Sequence, residues 1–162
     1  MKTAYVFSDS HGYIDIMYEV LADAKRGDTV VFLGDMNRDI EDIRAIYPSL
    51  EYVIVEGNND YRMDYPFTRV FRLEDVEILA CHGHKLRVKG TLQLLYDRAA
   101  ELGCQVALYG HTHVPKHMLH KGIQLINPGS CTSRYGSWCR LTIEGNRCEA
   151  TFYKGDGTEI VL

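Results

Sequence analysis

Apolar residues along this chain fall into short blocks whose spacing alternates between two periods. Tyr5-Val6-Phe7 is a run suited to a buried strand. A helical pattern follows over residues 15–25, with Ile16, Val20, Leu21 and Ala24 on one face and Gly27 at its end. Residues 30–33 predict a second strand, 39–47 a short helix stopped by Pro48, and 52–55 a third strand. This strand–helix–strand rhythm implies βαβ units and a largely parallel sheet. Farther on, residues 67–73 and 76–81 read as strands joined by the polar Glu74-Asp75 turn. Residues 91–102 read as a helix with Leu94, Leu95 and Ala99 inward and Gly103 at its end, and 106–109 as another buried strand. The pattern then shifts to short alternating strands around Met118, Gln124, Arg140 and Thr151, separated by turns such as Glu144-Gly145-Asn146. An antiparallel second sheet accounts for that shift. No repeat, low-complexity stretch or long linker interrupts the pattern, so residues 1–162 are expected to form a single domain.

Composition narrows the class. With 46% hydrophobic and 25% charged residues the chain matches globular averages, which excludes an intrinsically disordered protein. The apolar runs, such as 30–33, are far too short to span a bilayer. A formal net charge of −4 argues against a broad nucleic-acid-binding face, while leaving room for a local basic strip. The N-terminus runs from Met1-Lys2 through four apolar residues toward Asp9, unlike a secretory leader, so a cytoplasmic protein is expected. Five cysteines without a CxxC pair (Cys81, Cys104, Cys131, Cys139, Cys148) fit reduced, buried thiols. The sharper alternative, a zinc site from Cys131, Cys139 and Cys148, is disfavoured by their wide spacing on expected strands.

The chemistry lies where the strands end. Asp9-x-His11 follows the first strand, Gly34-Asp35 the second and Gly57-Asn58-Asn59-Asp60 the third. Cys81-His82-Gly83-His84 follows a fourth, and Gly110-His111-Thr112-His113 a fifth. Loops at the carboxyl ends of parallel strands converge on one crevice. Imidazole nitrogen with Asp and Asn oxygen, and no thiolate, suits manganese foremost, with iron, zinc, nickel or cobalt as alternatives. Asp9, His11, Asp35, Asn58, His82, His111 and His113 are too many for one ion but fill two coordination spheres if one carboxylate bridges. Two ions about 3.5–4 Å apart clamp a phosphoryl group and activate water for in-line attack. Each residue also has an ordinary reading. Asp9 and His11 would be turn and capping residues, Asp35 and Asn58 turn residues, His82 and His111 satisfied histidines at strand ends. Seven such readings would have to hold together.

In this order, D-x-H, G-D, G-N-x-D, H-G-H and G-H-T-H resemble the signature of the calcineurin-like metallophosphoesterases, and Ile126-Asn127-Pro128-Gly129-Ser130 matches a motif often found after it. The resemblance runs from Ser8 to Ser130. It implies an α/β fold, a four-layer αββα sandwich of two mixed β-sheets flanked by helices. It implies two divalent metal ions, with Asp9, His11 and His113 on one, Asn58, His82 and His111 on the other, and Asp35 bridging. Asp35, Asn58, His82 and His111 are the residues it assigns to catalysis. The short chain and the GNxD form point to the small bacterial and archaeal phosphodiesterase branch, with a metal-bridging hydroxide as nucleophile. A small phosphodiester or nucleotide substrate and a homo-oligomer are implied; a nucleic-acid substrate is not favoured and no membrane is involved. Rival readings are a phosphomonoesterase or nuclease on the same site, and a non-catalytic protein-interaction scaffold on the same fold, as in the retromer subunit that resembles this family.

One departure stands out. Larger members carry His after the metal-binding Asn, and here that position is Asn59, whose amide cannot give up a proton at neutral pH. Among neighbouring residues, His84 lies near the expected site, and Arg38 is read either as a phosphate contact or as a solvated helix-start residue. Asn127 and Ser130 either touch substrate or position the His loops. Tyr61, Arg62, Tyr65 and Arg69 are candidates for the substrate mouth, His117 and His120 read as surface residues, and Trp138 as core or subunit interface.

Overall fold

The computed structural model describes residues 1–61 and 64–162. Strands β1 (Lys2–Phe7), β2 (Thr29–Phe32) and β3 (Glu51–Ile54) are connected by helices α1 (Asp15–Leu21) and α2 (Asn37–Ile46) and pair in parallel, Val6 beside Val31 and Val31 beside Val53. Every residue of β2 is buried. Val31 enters the core between the sheets, while Val30 and Phe32 pack under the helices against Ile16, Met17, Ile40 and Ile43. A strand covered on both faces reads as an unbroken apolar run, which is why this one was legible. The first helix stops at Leu21, short of the predicted residue 25. The chain leaves it through a turn in which Asp28 captures the Lys25 N–H at 2.9 Å, so a local side-chain acceptor outcompetes helix propagation.

The second sheet is built on β5 (Val76–Cys81). Edge strand β4 (Thr68–Leu73) pairs with it antiparallel, and β6 (Val106–Leu108) and β8 (Ile123–Asn127) extend it in parallel. β7 (Lys116–His120) closes the far edge antiparallel to β8. Helix α3 (Gln93–Glu101) covers its outer face through Leu95 and Ala99, which pack with Leu79, Ala107 and Leu125. Leu94, expected inward, is 43% exposed, because the inward stripe continues to Ala99 at i+4 from Leu95 and leaves Leu94 on the flank.

The late strands do not form a sheet of their own. β7 and β8 complete the second sheet, whereas β9 (Ser137–Glu144), β10 (Arg147–Lys154) and β11 (Glu159–Ile160) extend the first, β9 pairing antiparallel with β1. Without β9 the edge of β1 would present unpaired backbone groups inside the protein, and β9 supplies both those hydrogen bonds and apolar Cys139, Leu141 and Ile143 for the inter-sheet core. Both sheets are therefore mixed. The layers run α1 and α2, the six-stranded sheet, the five-stranded sheet, then α3, which is the αββα sandwich that the resemblance implies. Trp138 lies in the core, stacked on Tyr153 at 4.6 Å and on Phe7 at 5.8 Å. Among the described residues no helix is long and apolar enough to cross a membrane.

All five cysteines are free and buried, and among the described residues none joins a cluster of metal-type ligands. Burial pushes the thiols of Cys81 and Cys131 up to about 12 and that of Cys148 to about 11, which disfavours the thiolate. A thiol reagent should accordingly count no reactive cysteine in the native protein within minutes and five in denaturant. Rapid native labelling of Cys139 or Cys148 would contradict this packing.

Candidate metal centre

Asp9 and His11 sit directly after β1, Asp35 after β2, Asn58 after β3, His82 after β5, and His111 and His113 after β6. Two facing sheets, and not a single parallel one, bring them to a common rim. Asp9, His11 and His113 form one group, and Asp9, Asp35 and His82 another, with ligand atoms within 4.8 Å of one another in each. Asn58 Oδ1 and His111 Nδ1 complete the second, at 3.0 and 3.1 Å from His82 Nε2. Asp35 directs Oδ2 to His11 Nε2 at 3.8 Å and Oδ1 to His82 Nε2 at 3.5 Å, one oxygen to each group. Asp9 also reaches across, with Oδ1 3.0 Å from His113 Nε2 and 3.8 Å from His82 Nε2. A resemblance-based assignment gives the bridge to Asp35 alone; the geometry sets two carboxylates between the groups.

The donor chemistry fits divalent cations. His82 Nδ1 lies 2.7 Å from the Leu33 carbonyl and donates to it, so when the ring serves as a ligand it turns the Nε2 lone pair toward the cluster. That lone pair faces Asn58 Oδ1 and the carboxylates of Asp35 and Asp9, all acceptors, an arrangement that a cation satisfies. Burial, reinforced by His82 and Lys89, holds His111 down at about 4, so its imidazole is neutral and able to ligate near pH 7. For Asp35, burial alone acts to raise the carboxyl. The backbone and side-chain amides of Asn59, with His82 and His11, outweigh it and hold the group below its ordinary value.

The surrounding loops are fixed by two further carboxylates. Asp60, buried, accepts the N–H groups of Asp35, Met36, Asn37 and Gly57 at 2.7–2.8 Å and so ties the loop after β2 to the loop after β3. Asp39, in the first turn of α2, accepts Ser10 Oγ at 2.6 Å and the Gly12 N–H at 2.7 Å, bracing the loop of Asp9 and His11. Asn127 donates Nδ2–H to the Gly110 carbonyl and to Thr112 Oγ1, and Ser130 donates Oγ–H to the Asp9 carbonyl; both position ligand loops. Asn59 donates its N–H to Asp35 Oδ1 at 2.9 Å and its Nδ2–H to Oδ2 at 2.7 Å. Sequence reasoning missed Asp39, Asp60 and this grip of Asn59, and the signal within reach was the acid that closes G-N-x-D.

The remaining candidates disperse. His84 belongs to neither ligand group, though its ring lies 5.4 Å from that of His82. Arg38 is exposed, Tyr61 is exposed, and Arg69 is exposed on β4. The Tyr65 hydroxyl meets Glu41, and Arg62 falls outside the described residues. His117 bonds Gln124 and His120 packs edge-on to Tyr96, both away from the cluster.

Known proteins resemble this chain in sequence and in fold. The calcineurin-like phosphoesterase superfamily domain matches residues 1–145. The probable metallophosphoesterase YsnB of Bacillus subtilis is 34% identical over 160 residues, covering 96% of this chain and 92% of that protein. The probable metallophosphoesterase MJ0623 of Methanocaldococcus jannaschii is 30% identical over 130 residues, covering 78% and 67%. Among solved structures, a conserved protein from Streptococcus pneumoniae described as a predicted phosphoesterase superposes with a TM-score of 0.83 at 29% identity, covering 98% and 92%. Vps29 of Chaetomium thermophilum gives 0.81 at 19% identity, covering 95% and 91%, a likeness of fold alone.

If Asp60 sets the two loops, Asp60→Asn, which turns an NH₂ toward two of the four N–H donors, should lower stability by about 2–6 kcal/mol. It should also reduce the metal retained after dialysis, although Asp60 belongs to neither ligand group. Urea denaturation and elemental analysis measure both; a variant with unchanged midpoint and metal content would remove Asp60 from this role.

Proposed function

The chain belongs to the calcineurin-like phosphoesterase superfamily, and from that premise we propose that it is a dinuclear-metal phosphodiesterase. The observation that carries the proposal is the Asp35 carboxylate, which turns one oxygen to each of two ligand groups. Asp9, His11 and His113 would hold one divalent ion, Asn58, His82 and His111 the other, with Asp35 shared. When bound, such a pair supplies Lewis acidity toward the phosphoryl oxygens and lowers the pKa of the attacking water.

The protein's own part is orientation. The Leu33 carbonyl fixes the His82 tautomer, and Asn59 fixes both oxygens of Asp35. Asn59 is thereby committed as a hydrogen-bond donor at the position where a proton donor would stand in larger members. With no acid there, the departing oxygen must carry its own negative charge. That favours esters whose leaving groups are stable anions.

Metal-stripped protein reloaded with single ions, manganese first, tests this on paired aryl mono- and diesters. The diester of each pair should turn over faster, and the rate should depend steeply on leaving-group pKa. Asp35→Asn should lose both ions and nearly all activity. Faster monoesters, a rate insensitive to the leaving group, or an Asp35→Asn enzyme with two retained ions and normal turnover would overturn the proposal.

A further inference from the structure

The segment after His82 folds back on itself around Val88. Leu86 N–H donates to the Gly83 carbonyl at 3.0 Å, Val88 N–H to the same carbonyl at 3.3 Å, and Gly90 N–H to the Arg87 carbonyl at 2.9 Å. Val88 is buried and packs so closely on Gly83 that a Cβ there would meet its Cγ2 at 2.7 Å. With Val88 and Leu86 turned into the core beneath α3, Lys85, Arg87 and Lys89 are all exposed. Among the described residues none of these three cations pairs with a carboxylate, a state they share with most Lys and Arg of the chain.

The Lys85 end of this exposed basic segment borders the ligand groups. Lys85 Nζ lies 3.4 Å over the ring of Phe67, which is 42% exposed. Phe67 meets His84 edge-on at 5.7 Å, and the His84 ring is 5.4 Å from His82 and 6.2 Å from His111. A chain of net charge −4 therefore gathers free cations and an exposed aromatic face at one side of the candidate metal centre.

We propose that Phe67, Lys85, Arg87 and Lys89 form a subsite for a nucleotide moiety of the substrate. The Phe67 ring would stack on the base, taking the face that Lys85 now covers, and the cations would bind a phosphate additional to the scissile one. Aromatic rings accept any base this way, and exposed Lys and Arg recognise phosphate by charge. Small neutral-armed diesters would gain nothing from the strip. The inference rests on the phosphodiesterase reading for its substrate class, while the subsite itself can be tested by binding alone.

Two measurements decide it on the metal-loaded protein. Calorimetry should show adenosine 5′-monophosphate binding at least tenfold tighter than inorganic phosphate, with the difference, which only the stacked base can supply, lost in Phe67→Ser. In turnover, the 5′-phosphorylated dinucleotide pApA should exceed ApA in kcat/KM, mostly through KM. The Lys85→Met/Lys89→Met double variant should lower the pApA to bis(p-nitrophenyl) phosphate ratio at least tenfold, and Lys154→Met, a distant exposed lysine, should not. Equal binding of the nucleotide and inorganic phosphate would overturn the subsite, as would a pApA ratio untouched by the double variant. A double variant that acts while Phe67→Ser does not would leave an anion site and overturn nucleotide recognition. Wild-type protein that hydrolyses no diester yet binds the nucleotide as expected would overturn the phosphodiesterase reading and keep the subsite.

Discussion

Four backbone N–H groups converge on the buried carboxylate of Asp60, and the geometry of the metal centre depends on that convergence. Three of them, from Asp35, Met36 and Asn37, are consecutive. Asn37 opens α2, where free N–H groups point back past the helix start, and Asp35 and Met36, both in the left-handed region at φ 65° and 79°, turn their N–H groups to the same acceptor. The fourth N–H, from Gly57, opens the loop that carries Asn58. One side chain thus satisfies donors that would otherwise be buried without partners, and it holds the ends of β2 and β3 at a fixed separation. Asn59, between Asn58 and Asp60, then has only to reach across to grip Asp35.

The same tension runs through the other ligands. Asp9, His11, His111 and His113 also adopt positive φ, from 47° to 66°. Such conformations carry a strain of roughly 1–3 kcal/mol each and persist only where their surroundings over-determine them. Here the over-determination can be named. Asp9 is held through its backbone N–H by Gly34 and through its carbonyl by Ser130, the His11 loop by Asp39, and the Gly110–His113 turn by Asn127. The two sheets make a rigid frame, and buried polar contacts at its rim bend the backbone so that side chains face inward.

How much of this was legible follows from where the signal lies. Each strand that delivers a ligand is a short apolar run ending in a polar cluster, so the residues that meet at the rim could be picked from the sequence. Which edge a late strand joins was not legible. The alternation of β9 is the same whether it pairs with β1 or with β8, and only the need of β1 for a second partner decides. Asp39 and Asp60 escaped because, Gly57 apart, their acceptors serve N–H groups 23 to 27 residues away, a relation with no periodicity in sequence. Asn59 was read for the proton it cannot give, whereas the structure shows the hydrogen bonds it makes.

Two glycines separate what the sandwich needs from what the centre needs. Gly57 and Gly110 lie outside the positive-φ region, so backbone conformation does not require them to be glycine. Their constraint is contact. A Cβ on Gly57 would come 2.2 Å from Asp35 Oδ1, and one on Gly110 would come 2.0 Å from Ser8 Oγ and 2.8 Å from Asp9 Oδ2. These side-chain contacts involve the two carboxylates that reach both ligand groups, and the hydroxyl bonded to one of them at 2.5 Å. At Gly57 the Asp35 backbone nitrogen stands 2.5 Å from the same Cβ, so turning the carboxylate outward would not admit a larger residue, whereas at Gly110 the crowding atoms belong to the Ser8 and Asp9 side chains. Glycine at 110 is a restriction imposed by the inward, ligand-facing pose of Asp9 and the hydroxyl bonded to it, while glycine at 57 answers to the close approach of the two loop backbones as well. The chemistry of the rim is thus written into positions that bear no functional group at all.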